Sequence, residues 1–405
     1  MRIGKFGEAN HLSIDTIRHY MDLGLIVPEK KGGQYYFDER CQNDLELILE
    51  YKGMGFSLHE IKMIFLYIKI GKFTDYEKDP YYQSLFLEKY EKLEQEIHNL
   101  VKSKDQLKQK LEDISAKSAN SSSMMGIDLK VLNLLKCLKC SESLTLEDGM
   151  ISRNQILEGQ LICDCGEKYS IDSGILCIGK PFQSIAGISF DNHIPEYIQE
   201  TDPAFLENLN IGLHWAKRKL GQVDLHHKIL LELGTGAGFF LRNIYQELPE
   251  DCLYIAVDRN LERQRFLKRV LEKIDIKRRV LFICADFLDI PIQNHSVDMI
   301  IDQSGTSNYS FSHEEFLLLQ VDSLVKPDGY LLGSYFGFEN FSHKSKIEPK
   351  YRDNFSINQI QKNIRALKYR ILEDRTSETM DKGGRYEDFF VQGEVICTYT
   401  CFGKR

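Results

Sequence analysis

The chain has no apolar run approaching 18 residues, the length at which a helix begins to span a bilayer. It opens Met1-Arg-Ile-Gly, without the charged-then-apolar pattern of a secretory leader. The expectation is a cytoplasmic protein with no membrane partner. A basic surplus is also missing: 52 Lys plus Arg stand against 60 Asp plus Glu, a formal net charge of −8. No global attraction to nucleic acid follows from that balance. Tryptophan occurs once, at Trp215, and prolines number only 9 in 405 residues. The cysteines lack the regular spacing of a disulfide scaffold. There are ten, four of them bunched between 137 and 165, which favours one metal site in a reducing compartment. Cys41, Cys252, Cys284, Cys397 and Cys401 lie in apolar surroundings and are expected to be core residues. This length suggests two to four domains.

The stretch with the strongest pattern is Ile229 to Phe240, I-L-L-E-L-G-T-G-A-G-F-F. A short apolar run ends in Glu232 and then in glycines at every second position, Gly234, Gly236 and Gly238. This predicts a buried strand, a tight turn in which glycine tolerates positive φ, and a helix entered near Phe239. A second strand, Tyr254-Ile-Ala-Val-Asp258, ends in a carboxylate 20 residues past Gly238, suitably placed for the two hydroxyls of a ribose. A third, starting at Leu281, ends in Asp286 and Phe287, an acid and a ring suited to an adenine. Val297 to Asp302 and Lys326 to Ser334 supply the fourth and fifth, and residues 371 to 402 the last two, with Val395 to Tyr399 the final one.

At these residues the chain resembles the class I S-adenosylmethionine (SAM)-dependent methyltransferases over about 195–405. The resemblance implies a Rossmann-like, seven-stranded, mostly parallel sheet with helices on both faces. It also implies a cofactor site in which Glu232, Gly234 and Gly236 face the methionine end, Asp258 the ribose, and Asp286 with Phe287 the adenine, with Gly238 as a further cofactor-binding position. A nicotinamide cofactor is the alternative for an alternating-glycine turn. Asp302, Tyr309 and His313 are loop candidates near a methyl acceptor, expected to position rather than to catalyse, so no catalytic residue is assigned. Helix-spaced Phe205, Leu209 and Leu213 predict a helix covering the cleft. Residues 338–370, with Lys344, Lys346, Lys350 and Arg352 and a helix over 356–368, read as an insertion expected to wall the acceptor pocket.

At the other end, Ile3 to Glu8 reads as a short helix, and Ser13 as the cap of a second, Ile14 to Tyr20. Two short helices about a tight turn make a helix-turn-helix. Lys30-Lys-Gly-Gly-Gln-Tyr-Tyr-Phe37 has hairpin chemistry and reads as a wing, followed by helices over 39–53 and 57–70. This order, with T-I-R-H-Y, G-L-I-x-P and G-F-S-L-x-E-I-K, closely resembles the MerR family of transcriptional regulators over residues 1 to about 118. The resemblance implies double-stranded promoter DNA as partner, contacted by Thr16, Arg18 and Tyr20 from the second helix and by Tyr35 and Tyr36 from the wing. Tyr35 stands where family members often carry arginine. Ten basic residues match ten acidic ones over 1–72, so phosphate contact rests on Arg2, Arg18, Lys30 and Lys31. A winged-helix module for protein contacts is the alternative.

From Phe86, the positions Tyr90, Leu93, Ile97, Leu100, Lys104, Leu107, Leu111 and Ile114 alternate steps of four and three. That pattern predicts a coiled-coil seam over 80–118 and a homodimer, with a helix packed on its own domain as the alternative. Ser115 to Ser123 reads as the core of a polar linker extending to 126. Cys137-x-x-Cys140 and Cys163-x-Cys165, separated by 22 residues, read as four thiolates around a structural zinc in a small ribbon over 130–180. Buried free thiols are the alternative, and Cys177 is a further candidate ligand. C-G-E-K-Y-S-I-D-S-G-I-L-C resembles small zinc ribbons that precede some methyltransferases, including those acting on ribosomal RNA bases.

The expectation is therefore a multidomain α and α/β chain: winged helix-turn-helix (1–72), coiled coil, ribbon and methyltransferase domain. The tail either methylates a small molecule or serves as the regulator's sensing module. An RNA methyltransferase with an accessory nucleic-acid-binding head is the alternative.

Overall fold

The computed structural model describes residues 1–72, 74–117, 124–179 and 193–405. Most of the expected linker, 118–123, lies outside the described residues. Two compact units divide the chain, Met1–Ala119 and Asn120–Arg405.

The first unit is helical with one small hairpin: α1 (Ile3–Ala9), α2 (Ile14–Asp22), β1 (Glu29–Lys31), β2 (Gln34–Tyr36), α3 (Glu39–Gly53), α4 (Leu58–Ile70) and α5 (Pro80–Lys117). Three of the helices carry side-chain caps at their starts. Ser13 accepts from the Thr16 amide, Asp38 from that of Cys41, and Ser57 with Glu60 forms a reciprocal capping box on α4. β1 and β2 pair antiparallel with Lys31 opposite Gln34, so the loop is Gly32-Gly33 alone. Both glycines have positive φ (56° and 80°), the turn geometry that matches strand twist. Phe6, Ile17, Tyr20, Leu25, Phe37, Leu45, Ile48 and Ile64 form the core of this unit.

α5 runs 38 residues, roughly 57 Å at about 1.5 Å per residue. It stays helical through residues 115–117, where the linker was expected to begin. The first of the patterned positions belongs to the head instead. Phe86 packs edge-on against Tyr51 and Phe56 of its own head, whereas Tyr90, Ile97, Leu100, Leu107, Leu111 and Ile114 are exposed.

The second unit is built on twelve strands among the described residues. In chain order it contains β3 (Ile127–Asp128), β4 (Thr145–Ser152), β5 (Gln155–Ile162), β6 (Lys168–Asp172), β7 (Ile175–Cys177), α6 (His193–Glu200), α7 (Pro203–Leu220) and β8 (Ile229–Leu233). Then come α8 (Phe239–Ile244), β9 (Leu253–Asp258), α9 (Leu261–Glu272), β10 (Arg279–Cys284), β11 (Val297–Gln303), α10 (Gly305–Ser310) and α11 (Leu317–Gln320). The chain closes with β12 (Val325–Asn340), α12 (Ile357–Ala366), β13 (Arg370–Thr376) and β14 (Val395–Lys404). Seven strands follow the expected Rossmann-like order, β13-β14-β12-β11-β8-β9-β10, parallel from β12 to β10 with an antiparallel edge at β14 and β13.

Strict alternation sorts the strand side chains into two cores. Leu231, Leu233, Ile255, Val257, Leu281 and Ile283 fall on one face. Leu230, Tyr254, Ala256, Phe282, Met299 and Ile301 fall on the other, beneath Trp215 of α7, Phe240 and Leu241 of α8, and Leu267 and Leu271 of α9. Such two-sided burial is what a parallel sheet requires.

The sheet does not stop at β10. β7 pairs parallel with it, Ile175 opposite Phe282 and Cys177 opposite Cys284, and β6, β5 and β3 continue the same sheet, with β4 paired to β5. Ribbon and methyltransferase regions, expected as separate domains, therefore share one sheet and one core containing Ile127, Val131, Leu135 and Ile171. β7 also covers what would otherwise be an open sheet edge.

Candidate functional site

In the head, the structure separates the expected DNA contacts. Arg18 is exposed on α2, 3.3 Å from Asp15, and half-buried Thr16 shares a 2.8 Å hydroxyl contact with Ser13. Tyr35 and Tyr36 are exposed on the wing, with Lys30 Nζ 5.6 Å from the Tyr35 ring. Tyr20 is a correction. It is 1% exposed in the core, and its hydroxyl accepts from Lys52 Nζ at 3.3 Å. Helical spacing puts it three residues from Ile17, on the buried face, and leaves His19 exposed beside Arg18.

In the second unit, the glycine turn opens onto a cavity of about 320 Å³ that Glu232, Gly234 and Gly236 line. All three glycines adopt left-handed φ, 71° at Gly234, 57° at Gly236 and 75° at Gly238. Gly238 does not line the cavity. It caps α8, and a Cβ there would overlap Leu267. Glu232 is fully buried on the face it shares with Tyr254, whose hydroxyl donates to it at 2.8 Å. Burial pushes its carboxyl up to about 8.

Asp258 is also buried, and this raises its pKa. One oxygen accepts from the Gly236 amide at 2.9 Å and the other from Asn260 at 2.8 Å, so the acid also braces the turn. Asp286 is exposed just after β10. The Phe287 ring lies close over Gly234, where a Cβ would meet it at 3.4 Å, and is half-buried against Tyr309. Asp258 and Phe287 thus touch the turn, Asp286 precedes Phe287 on the same loop, and none of the three lines the cavity itself.

Of the loop candidates, Asp302 is fully buried and accepts from the amide and hydroxyl of Thr306, fixing the start of α10. Burial raises its carboxyl to about 6. Tyr309 and His313 stack on each other at 3.8 Å. Next to Asp302, Gln303 does line the cavity, and its buried Nε2 has no hydrogen-bond partner. Ser304 follows in a left-handed conformation, φ 67°, a sharp non-glycine turn at the cavity wall.

α7 covers the cavity through Phe205, Leu209 and Leu213, as its spacing implied. The insertion does not wall it. Lys346 pairs with Asp388, Lys350 with Glu348, and the Arg352 guanidinium lies over Phe341. Met380, Tyr386, Glu387 and Phe389, between β13 and β14, provide that wall instead. The aromatic run R-Y-E-D-F-F was the available signal for it.

The Sγ atoms of Cys137, Cys140, Cys163 and Cys165 lie within 4.8 Å of one another. Bonds of about 2.3 Å to a tetrahedral zinc place thiolates roughly 3.8 Å apart, so the four present a fitting donor set. Gly166, at φ 92°, turns the short Cys163–Cys165 knuckle and returns its amide to the Cys163 carbonyl at 2.8 Å. Cys177 is not in the cluster. It lies on β7 opposite Cys284.

Residues 1–67 match the family model for the MerR HTH family regulatory protein, and residues 225–384 match one for a methyltransferase domain. The chain joins a MerR-type helix-turn-helix domain to a methyltransferase domain. The MerR-type domain is similar to the HTH-type transcriptional regulator HmrR of Rhizobium leguminosarum bv. viciae, 38% identical over 66 residues, 16% of this chain and 50% of that protein. The methyltransferase domain is similar to the ubiquinone/menaquinone biosynthesis C-methyltransferase UbiE of Blochmanniella pennsylvanica, 24% identical over 146 residues, 35% of this chain and 57% of that protein. The chain thus spans about half the length of these curated relatives. Solved structures similar to it include MccD (12% identical, 48% of this chain and 96% of that one, TM-score 0.39) and a SAM-dependent methyltransferase from Aquifex aeolicus (18%, 53% and 99%, TM-score 0.35). Among the described residues no helix is long and apolar enough to cross a membrane.

Proposed function

We propose that the protein is a dimeric, promoter-binding regulator whose methyltransferase domain binds SAM and transfers its methyl group to a small molecule. The observation that carries the reading is the intact glycine turn with buried Glu232, opening on a cavity in a chain that also bears a MerR-type head. Glu232 would hold the cofactor's ammonium, the Gly234–Gly236 backbone its methionine, Asp258 its ribose, and Asp286 with Phe287 its adenine. Bound SAM supplies an electrophilic methyl group. Dimerisation would use the exposed α5 seam from Tyr90 to Ile114. The cysteine cluster would hold a structural zinc with no open coordination position.

The cofactor assignment is tested by calorimetric titration of SAM into the full chain and into Asp258→Asn. One site per chain is expected, about tenfold weaker in the variant. No binding to the wild-type chain removes the cofactor reading. The head assignment is tested by anisotropy with DNA from the protein's own promoter region. Arg18→Ala should weaken binding about tenfold at moderate salt, since a lost phosphate or base contact is worth about 1–3 kcal/mol. Tyr20→Phe, which removes only the hydroxyl contact to Lys52, should leave affinity within about twofold. Equal losses in both would mean that α2 is not the reading helix.

A further inference from the structure

The cavity wall away from the glycine turn has a composition of its own. Rings from four elements meet there: Tyr197 lies 5.6 Å from Tyr386, Phe336 4.8 Å from Phe389, and Phe205 6.5 Å from Phe336. Among these rings lines Glu387, a 6%-exposed acid. Glu387 accepts from the Gly384 amide at 2.9 Å and the Thr201 hydroxyl at 3.3 Å, and the Tyr197 hydroxyl bonds to it as well; all three donors are neutral, and among the described residues no cation pairs with it. Among the described residues the single Lys or Arg lining the cavity is Arg263, against two acids, Glu232 and Glu387. A buried carboxylate normally has a cationic partner, and aromatic faces favour cations. Here both features face one cavity, and its cation, Arg263, acts on Asp258 while none among the described residues pairs with Glu387.

We infer that the methyl acceptor is a small amine that enters as its ammonium ion, held by Glu387 among the rings of Tyr197, Phe336, Tyr386 and Phe389; the Glu387 carboxylate takes the ammonium proton, and the freed lone pair forms the N–CH3 bond as the S–CH3 bond of SAM breaks and S-adenosylhomocysteine leaves. This rests on the methyltransferase reading above. Glu232 and the glycine turn serve the cofactor, and Glu387 serves the acceptor, so each buried acid receives its own cation. The orphaned Gln303 Nε2 is left to donate to an oxygen or second nitrogen of the bound molecule. A cavity of about 320 Å³ with one cation at its wall suits a molecule of this kind better than an RNA strand, whose phosphates would need several cations.

The test uses the full chain, first saturated with S-adenosylhomocysteine and then titrated with phenethylamine or its neutral isostere 2-phenylethanol. Wild type should bind the amine at least tenfold more tightly than the alcohol. Glu387→Gln should lose that preference while keeping its affinity for S-adenosylhomocysteine and its melting temperature. Equal binding of amine and alcohol by wild type, or no binding of either, overturns the inference. So does a Glu387→Gln variant that weakens S-adenosylhomocysteine, because Glu387 would then serve the cofactor. Should the variant fail to fold, the wild-type comparison decides alone. Failure of wild type to bind S-adenosylhomocysteine at all is a distinct result, and it removes the cofactor reading itself.

Discussion

Stripping the metal from the four-cysteine cluster, by chelation or by Cys163→Ser, should lower the melting temperature of the second unit by about 5 °C and weaken SAM binding about tenfold. A structural zinc is worth roughly 10–16 kcal/mol in peptides that have no other core. Here the ribbon shares Ile127, Leu135, Leu161 and Ile171 with the sheet, so part of it stays packed without metal. A loss of about 3 kcal/mol, near 5 °C for a unit of this size, is the expected remainder. The cofactor effect follows from what stands next to Cys137. The Lys136 amide donates to the Pro291 carbonyl at 3.0 Å, the Gln293 amide donates to Leu134 at 2.8 Å, and Leu135 bridges Ile292. These contacts hold the far end of the loop that begins with Asp286 and Phe287. With the knuckle undone, the loop loses these contacts and keeps β10 at its start and the His295 and Ser296 amide bonds to Ser323 and Leu324 at its end. Zinc content from a chromogenic chelator, melting, and SAM titration on the same samples check the chain of effects. Cys177→Ser, outside the cluster, should keep one zinc per chain. Identical SAM affinity with and without zinc would separate the ribbon from the cofactor site.

That coupling was not legible in the sequence, and the reason is physical. Ile175-Leu-Cys177 reads as the end of a ribbon, since nothing local tells a three-residue strand which edge it will join. Its partner, β10, lies about a hundred residues further along. The seven-stranded sheet was legible because each strand end carries its own signal, an apolar run stopped by an acid or a glycine. The glycine turn was equally plain, since three left-handed positions in a row of alternating residues leave few other choices. The cavity wall was not, because the segment 377–394 has neither a helical nor a strand period, and its rings matter only through where β13 and β14 place them. Tyr20 shows the opposite failure. A family pattern placed it on DNA, whereas the three-residue step from Ile17 already put it on the buried face. α5 is intermediate: its heptads gave a long helix, but Phe86, first in the pattern, turns inward to its own head.

SAM affinity should rise with pH between 6 and 8, by up to about 100-fold, and level off above. Glu232 sits fully buried with its carboxyl pushed up to about 8, so in the free protein it is mainly protonated at neutrality. A cofactor ammonium pairs with the carboxylate and not with the acid, so binding must displace this proton. The penalty is about tenfold per pH unit below the free value and vanishes above it. The same shift has a consequence for the free protein. Because the folded value lies above the unfolded value of 4.5, the folded state holds the extra proton between 4.5 and about 8, and this acid's contribution to stability falls as pH rises through that window. Titration calorimetry at pH 7 in two buffers of different ionisation enthalpy should count close to one proton released per SAM bound. Glu232→Gln should flatten the pH dependence and leave affinity low throughout. Tyr254→Phe, which removes the hydroxyl that favours the charged form, should move the midpoint upward. Proton release unchanged in Glu232→Gln would assign the titration to a different group, with buried Asp258 the next to examine, and would take from Glu232 its place at the cofactor's ammonium.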